Sequence, residues 1–444
     1  MRKILTSSAI VVLLTIAAGC ERNAVEVAVD ARPGSIAVYC GTLIDGRNDA
    51  ALTNRTIVID GERIQRVDAG APDPDLYGEF IDLSDYTCLP GLIDTHTHIT
   101  DRSNETRDLS IYYTRTLEEE REISRQNALT TLDAGFTTVR NVGAYGGWSG
   151  RDVRDRINAG EIPGPRVQTA AYYLTIPGGG GDLVIPGIDE SEIPARVRMG
   201  VARGPEQFRE KAQAAVDGGA DVLKVIASGA VLAFGGVPGA PEMTEEEIRA
   251  VVEVAHAAGI RVTAHAHGAQ SIKDAIRAGV DSIEHASLAD DEAIGMAAEQ
   301  DVAFSMDVYN GDYIATVGRE QGWPEEFIRK GDETTEAQRQ VFTKAVAAGV
   351  PIIYGTDSAV YPHGDNAKQF VIMVERGMTP MQAIQSATSV AAKYIGWGDD
   401  VGALEPGRYA DVIAVRGDPL ADITRLQQVE FVMKGGTVHK FSGE

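Results

Sequence analysis

Residues Gly91–His98, GLIDTHTH, open a stretch of the 444-residue chain in which a short apolar run alternates with a longer helical pattern. The runs that follow are FTTVRNV (Phe136–Val142), RVQTAAYY (Arg166–Tyr173), DVLKVIA (Asp221–Ala227), RVTAHAH (Arg261–His267), VDSIEH (Val280–His285), VAFSMDV (Val302–Val308) and PIIYGTD (Pro351–Asp357). Between them lie helical patterns such as Thr116–Gly135, Gly204–Gly219, Thr244–Gly259 and Thr335–Gly349, each closed by the glycine that suits a helix C-cap. Eight strand–helix units in about 300 residues is the arithmetic of a (β/α)8 TIM barrel with insertions, an α/β fold placed over 90–395. Residues 30–89 read differently, as short strands (IAVYCGTLI, RTIVID, RIQRVD, GEFIDL, YTCLP) separated by turn signals, and strands return in ADVIAVRG, VEFVMKGG and TVHKF. The expectation is that 30–89 and 396–444 combine into one small β-sandwich built from both chain ends.

The charge balance narrows the function. With 41 Lys and Arg against 65 Asp and Glu, a formal charge of −24, the chain offers no broad basic surface for nucleic acid. Its hydrophobic content of 43% and the absence of single-residue tracts argue against disorder. The glycine-rich stretches Gly178–Gly181 and Gly235–Glu242 lack the Lys-Ser/Thr of a phosphate-binding loop and the strand–GxGxxG–helix setting of a dinucleotide site, and read as mobile loops over the barrel mouth.

Met1-Arg2-Lys3, sixteen uncharged and mostly apolar residues, and then Cys20 make up a secretory leader over 1–19. Ala17, Ala18 and Gly19 resemble the bacterial lipobox, in which the cysteine is lipidated and becomes the mature N-terminus, although that pattern prefers Leu where Ala17 stands. A soluble exported protein cut nearby is the alternative. The expected location is the periplasm, free or as a membrane-anchored lipoprotein, with the lipid on Cys20 as the sole membrane contact, since an acidic chain is repelled by anionic lipid. Export also exposes Cys40 and Cys88 to oxidising conditions. Two buried free thiols are expected there, with a disulfide as the alternative.

Five of the eight histidines fall at the C-terminal ends of three predicted barrel strands: His96 and His98, His265 and His267, and His285. That end of a barrel is where active sites are built, and His-x-His on a strand turns both imidazoles to one face, where they can reach a common ion. Asp357 ends the eighth strand, and Lys224 stands inside the apolar run of the fourth, an unusual place for a cation without a partner or a task. A single histidine at a strand end is commonly structural; five together with an aspartate point to metal. His256, on a helix, and His439, on the last strand, share no strand end with the others and read as structural.

PGLIDTHTH, the Lys224 strand, TAHAHG, DSIEHAS and YGTDS, with ADVIAV near the C-terminus, resemble the metal-dependent amidohydrolase superfamily. Within it the likeness is to the imidazolonepropionase-like group that includes Xaa-Pro dipeptidases (prolidases). The resemblance implies two divalent ions, zinc, with His96, His98 and Asp357 holding one, His265 and His285 the other, and a CO2-derived carbamate on Lys224 bridging both. It further implies a hydroxide bridging the ions that attacks the carbonyl, with Asp357 taking its proton and delivering it to the leaving amine. His267 is the candidate for polarising the carbonyl or binding the substrate carboxylate, and His363, in YPHGDN, for lining the pocket. Relatives of this group often carry a histidine where this chain has Gly180, and commonly a glycine where it has Ala230. They are also frequently homo-oligomers, which is the expectation here.

The expected activity is hydrolysis of the amide bond of a dipeptide or N-acyl amino acid. Cyclic or xenobiotic amides, including ochratoxin-like amides of phenylalanine, are the alternative within the enzyme class. A catalytically inactive binding lipoprotein is the alternative outside it, and the intact ligand set speaks against that.

Overall fold

The computed structural model describes residues 32–443; the leader over 1–19 and Cys20 lie outside them. The N-terminal segment forms β1 (Arg32–Leu43), β2 (Leu52–Asp60), β3 (Arg63–Ala69) and β4 (Tyr77–Pro90). β2 and β3 are antiparallel, joined through Gly61-Glu62 with Gly61 at φ +57°, as a two-residue hairpin loop requires.

From Leu92 the strands become short and buried: β5 (Leu92–Thr97), β6 (Phe136–Asn141), β7 (Arg166–Thr169), β8 (Tyr173–Leu174), β9 (Val222–Ile226), β10 (Arg261–Gly268), β11 (Ser282–Leu288), β12 (Ala303–Ser305) and β13 (Ile352–Ile353). All eight runs read from the sequence are strands, and RVQTAAYY divides into β7 and the start of β8. They form two all-parallel sheets, one of order β13-β12-β11-β10-β9-β8 and one of order β5-β6-β7. Backbone bonds also link the two sheets. Thr95 N–H donates to Tyr354 O (2.8 Å) and Asp357 N–H to His96 O (2.7 Å), while Asp221 N–H donates to Thr169 O (2.8 Å). The helices between the strands start as their sequences demand: Thr116 and Thr244 each make a capping box with the glutamate three residues on. The last long helix, Glu325–Ala347, begins ten residues before the pattern read from Thr335, directly after Pro324.

The chain ends on β14 (Val412–Arg416), β15 (Phe431–Lys434) and β16 (Thr437–Phe441). These join the N-terminal strands in one seven-stranded sheet of order β16-β15-β14-β4-β1-β2-β3, through antiparallel pairing of β14 with β4. Both chain ends therefore share a sheet, with a core of its own that includes Val38, Ile57, Leu83, Val412 and Phe431. One expectation is corrected here. Cys40 and Cys88 are not free thiols but a disulfide, with Cα atoms 5.9 Å apart, because β1 and β4 are neighbours in this sheet and both side chains face its core. Strand adjacency is a long-range property that no local pattern in the sequence carries.

Candidate active site

β5 carries His96, with His98 the first residue beyond its end, and that end is tied to the turn bearing Asp357 by one buried carboxylate. Asp94 accepts from His96 N–H (3.1 Å), Thr356 N–H (3.1 Å), Thr356 Oγ1 (2.5 Å) and Asn366 Nδ2 (2.7 Å). Burial pushes its carboxyl up to about 7, against those four donors. Gly355 allows the close approach: a Cβ there would lie 2.0 Å from Ser305 Oγ and 2.9 Å from His96 Cβ. Asp357 (φ +56°) and His285 (φ +70°) both hold left-handed backbone, which costs about 1–3 kcal/mol for residues other than glycine and concentrates at functional sites.

The side chains converge. Asp357 Oδ1 lies 3.3 Å from His96 Nε2 and 3.1 Å from His98 Nε2, and its Oδ2 accepts from Asn310 Nδ2 (3.2 Å). The His285 ring centre is 4.9 Å from that of His96, 4.5 Å from His265 and 4.6 Å from His267. Behind these rings stand fixed partners: Asp307 Oδ1 at 2.9 Å from His285 Nδ1, Ser287 Oγ at 2.8 Å from His267 Nδ1, and Gly229 O at 3.3 Å from His265 Nε2. Lys224 lines the same cleft, 2% exposed, and no hydrogen bond or ion pair holds its ammonium among the described residues.

The titration of these groups follows their surroundings. Burial, then the Lys224 charge, pulls His96 down to about 4, and burial with the neighbouring imidazoles holds His265 and His267 well below the usual range. Burial likewise lowers Lys224 to about 8, against the pull of Glu284 and Asp357. His98 and His285 move up instead, because Asp357 and Asp307 outweigh their burial. Burial would raise the Asp357 carboxyl, yet His96, His98 and His285 together hold it well below the carboxylate range.

A donor set of five imidazoles, of which His96, His265 and His267 are held towards the neutral form, with a carboxylate and a lysine losing its charge, fits divalent metal ions, which bind deprotonated ligands. Two groups have ligand atoms within 4.8 Å of one another: His265, His267 and His285, and His96, His285 and Asp357. All six residues expected to bind metal meet in this cleft, and His267 joins them more closely than its expected role against substrate required.

The remaining expectations fare unequally. His363 does not line the cleft. It is buried behind it, Nε2 3.2 Å from His98 O and Nδ1 3.3 Å from both Thr131 Oγ1 and Ser358 Oγ, so it braces the His98 backbone. Gly180 and Ala230, both read as departures, touch: a Cβ on Gly180 would come within 2.9 Å of the Ala230 methyl. The backbone nitrogen of Ala230 would lie at 3.0 Å from the same Cβ, so any side chain at 180 requires the Ala230 segment of the cleft wall to shift. His256 pairs with Asp281 at 3.0 Å on the outside of the fold.

Several residues escaped the sequence reading. Arg140 and Glu284 form a fully buried ion pair (2.7 Å), with Arg140 also donating to Thr95 O (2.6 Å) and Ser282 Oγ (3.2 Å). Burial would raise the Glu284 carboxyl, but Arg140, His96 and Lys224 hold it well below its usual range. Glu284 Oε2 also lies 2.8 Å from His96 Nδ1, out of line for a directed hydrogen bond. Asp307 and Asn310, which orient His285 and Asp357, both lie beyond the end of β12. A charged residue inside an apolar strand, as Arg140 is in TTVRNV, was the available signal, the same one that pointed to Lys224.

The cleft has a volume of about 170 Å³. One wall is tyrosine: Tyr112, Tyr145 and Tyr173 follow one another with ring centres 5.0 and 5.1 Å apart, ending beside His98. Val231, Leu232, Ile314 and Val360 add aliphatic lining.

Comparison with known proteins gives the site its context. The family model for the amidohydrolase family matches residues 87–439. An ochratoxinase from Aspergillus niger is 30% identical over 432 residues, covering 91% of this chain and 87% of its own length. A crystal structure of a Xaa-Pro dipeptidase with methionine bound in the active site is 36% identical, with a TM-score of 0.86 over 91% of this chain and 100% of that one. A prolidase complexed with N-methylphosphonate-L-proline is 28% identical, with a TM-score of 0.84 over 92% of this chain and 100% of that one.

Proposed function

The chain belongs to the amidohydrolase family and is a hydrolase of amide bonds, and from that premise we propose that it cleaves a dipeptide or an N-acyl amino acid carrying a free carboxylate. The observation that carries the reading is the convergence of His96, His98, Lys224, His265, His285 and Asp357 on one cleft. The first two histidines and Asp357 would hold one zinc ion and His265 with His285 the other, with His267 close enough to contribute. Bound divalent ions supply Lewis acidity and make a water nucleophilic at neutral pH. Lys224 fits as a carbamate: burial already favours the neutral amine that CO2 requires, and the product supplies an anionic ligand where an ammonium would repel cations.

The chain's own groups do the rest. Asp357, oriented by Asn310, takes the proton of the attacking water and passes it to the leaving amine. His267, fixed by Ser287, polarises the substrate carbonyl or binds its carboxylate. The walls of the cleft supply apolar contact for the side chain flanking the bond. They also favour a second reading, an aromatic non-peptide amide, which the same chemistry would cleave.

The architecture belongs to the proposal as well. The parallel strands of 90–395 close into a (β/α)8 barrel, and 30–89 with 396–444 form the companion β-sandwich. Export behind the leader, lipidation of Cys20 and homo-oligomeric assembly complete it. The test is mass-spectrometric turnover of a mixed library of dipeptides and N-acyl amino acids by the zinc-loaded chain in bicarbonate. Cleavage concentrated on one class of C-terminal residue supports the peptidase reading; turnover confined to non-peptide aromatic amides replaces it with the second.

A further inference from the structure

His98 Nδ1 lies 3.1 Å from Gly143 O. A carbonyl oxygen only accepts, so the Nδ1 proton belongs there and this nitrogen is a donor. Tyr173 Oη lies 3.1 Å from the same Nδ1 and can therefore only accept from it. No other hydrogen bond of the Tyr173 hydroxyl exists among the described residues, so its own O–H proton has no acceptor in the protein. The residue lines the cleft beside the ligand cluster.

The ring is held firmly for that purpose. Its edge meets Tyr145 at 5.1 Å and His98 at 5.9 Å. One glycine crowds the ring and two crowd the rest of the residue: a Cβ on Gly143, which sits at φ +127°, would come 2.6 Å from the ring, one on Gly181 would come 2.8 Å from Tyr173 Cβ, and one on Gly200 would come 2.0 Å from the backbone Tyr173 O. A phenol with its lone pair occupied, its proton free and its position over-determined is built as a donor to something that enters the cleft.

We propose that Tyr173 is a catalytic residue of the amide hydrolysis read above, its O–H donating a hydrogen bond to the substrate carbonyl oxygen as the tetrahedral adduct forms. The inference rests on that reading and adds a donor to His267. Tyr173 transfers no proton. A water oxygen bonds to the carbonyl carbon, the carbonyl π pair moves onto its oxygen and is met by the Tyr173 hydrogen bond, and the pair returns as the C–N bond breaks and the amine leaves with the proton held by Asp357.

Tyr173→Phe keeps the ring contacts and removes only the hydroxyl. In the metal-loaded full chain, kcat on an amide cleaved by the wild type falls about 100- to 1,000-fold, while KM stays within about threefold. A phosphonate analogue of that amide, carrying the tetrahedral anion, loses affinity for the variant by a comparable factor, whereas the product amino acid binds both proteins equally. Bound metal per chain is unchanged. Wild-type kcat in the variant, or unchanged phosphonate affinity, overturns the inference while leaving the amide hydrolase reading standing. A loss of metal that accounts for the lost activity overturns it too, by making Tyr173 a support for His98. A wild-type protein that cleaves no amide removes the reading and the inference together.

Discussion

Replacing Arg140 with methionine is expected to cost about 3–5 kcal/mol of stability, because it strands a buried carboxylate. Arg140 and Glu284 are 1% and 0% exposed, and the guanidinium makes three bonds, to Thr95 O, Ser282 Oγ and Glu284 Oε1. The two neutral acceptors account for only about 1 kcal/mol each. The larger share comes from Glu284, left with the Thr263 hydroxyl and the off-line contact to His96. The second substitution separates these contributions. In Arg140→Met/Glu284→Gln the stranded charge is gone, so more than half of the loss returns and the double variant lies about 1–2 kcal/mol below wild type. Guanidinium chloride unfolding of all four proteins of the cycle, followed by tryptophan fluorescence, measures the coupling. A single variant within about 1 kcal/mol of wild type, or a double variant less stable than Arg140→Met, would refute the reasoning.

Reducing the Cys40–Cys88 disulfide, which closes a loop of sequence separation 48, should destabilise the seven-stranded sheet by about 4 kcal/mol on the chain-entropy estimate, read as a lower unfolding midpoint in reductant. His363 predicts a pH signature. Burial lowers its imidazole from 6.5 to about 4, so between those values the unfolded chain binds the proton and the folded chain does not; the stability this group confers is full above pH 6.5 and is lost towards pH 4, at about 1.4 kcal/mol per pH unit. The difference in stability between wild type and His363→Asn, measured at pH 7 and pH 4.5, should shrink at the lower value, and a constant difference would contradict the assignment. Lys224→Ala should lose turnover and regain part of it with a short-chain carboxylic acid that takes the place of the carbamate; an equal lack of activity with and without the acid would leave the carbamate without support.

Much of the site was legible because it obeys period two. His96 and His98, like His265 and His267, lie two apart at the end of a buried strand, and five histidines at strand ends cannot all be core residues. Lys224 stood out as a cation in an apolar run. The same signal at Arg140 passed unread, because its meaning depends on Glu284, a partner 144 residues away that itself sits beside the more conspicuous His285. Tyr173 carried no signal at all: a tyrosine in an apolar segment is ordinary, and its role follows from one carbonyl, Gly143 O, that fixes which way a neighbouring proton points. His363 shows the opposite failure. A loop motif placed it at the pocket, but the turn through Asp94, Thr356 and Asn366 folds it behind His98. The union of the two chain ends in one β unit was legible from their strand patterns, but the disulfide was not, because which strands become neighbours is decided by the whole chain.

The measurement that bears most directly on the central claim is a zinc titration of the chelator-stripped chain in bicarbonate while cleavage of one accepted amide is followed. A two-ion site in this cleft gives no turnover without metal, full turnover at two equivalents per chain, and none at any loading in Asp357→Ala. Full activity in the stripped chain, or in Asp357→Ala, would contradict it.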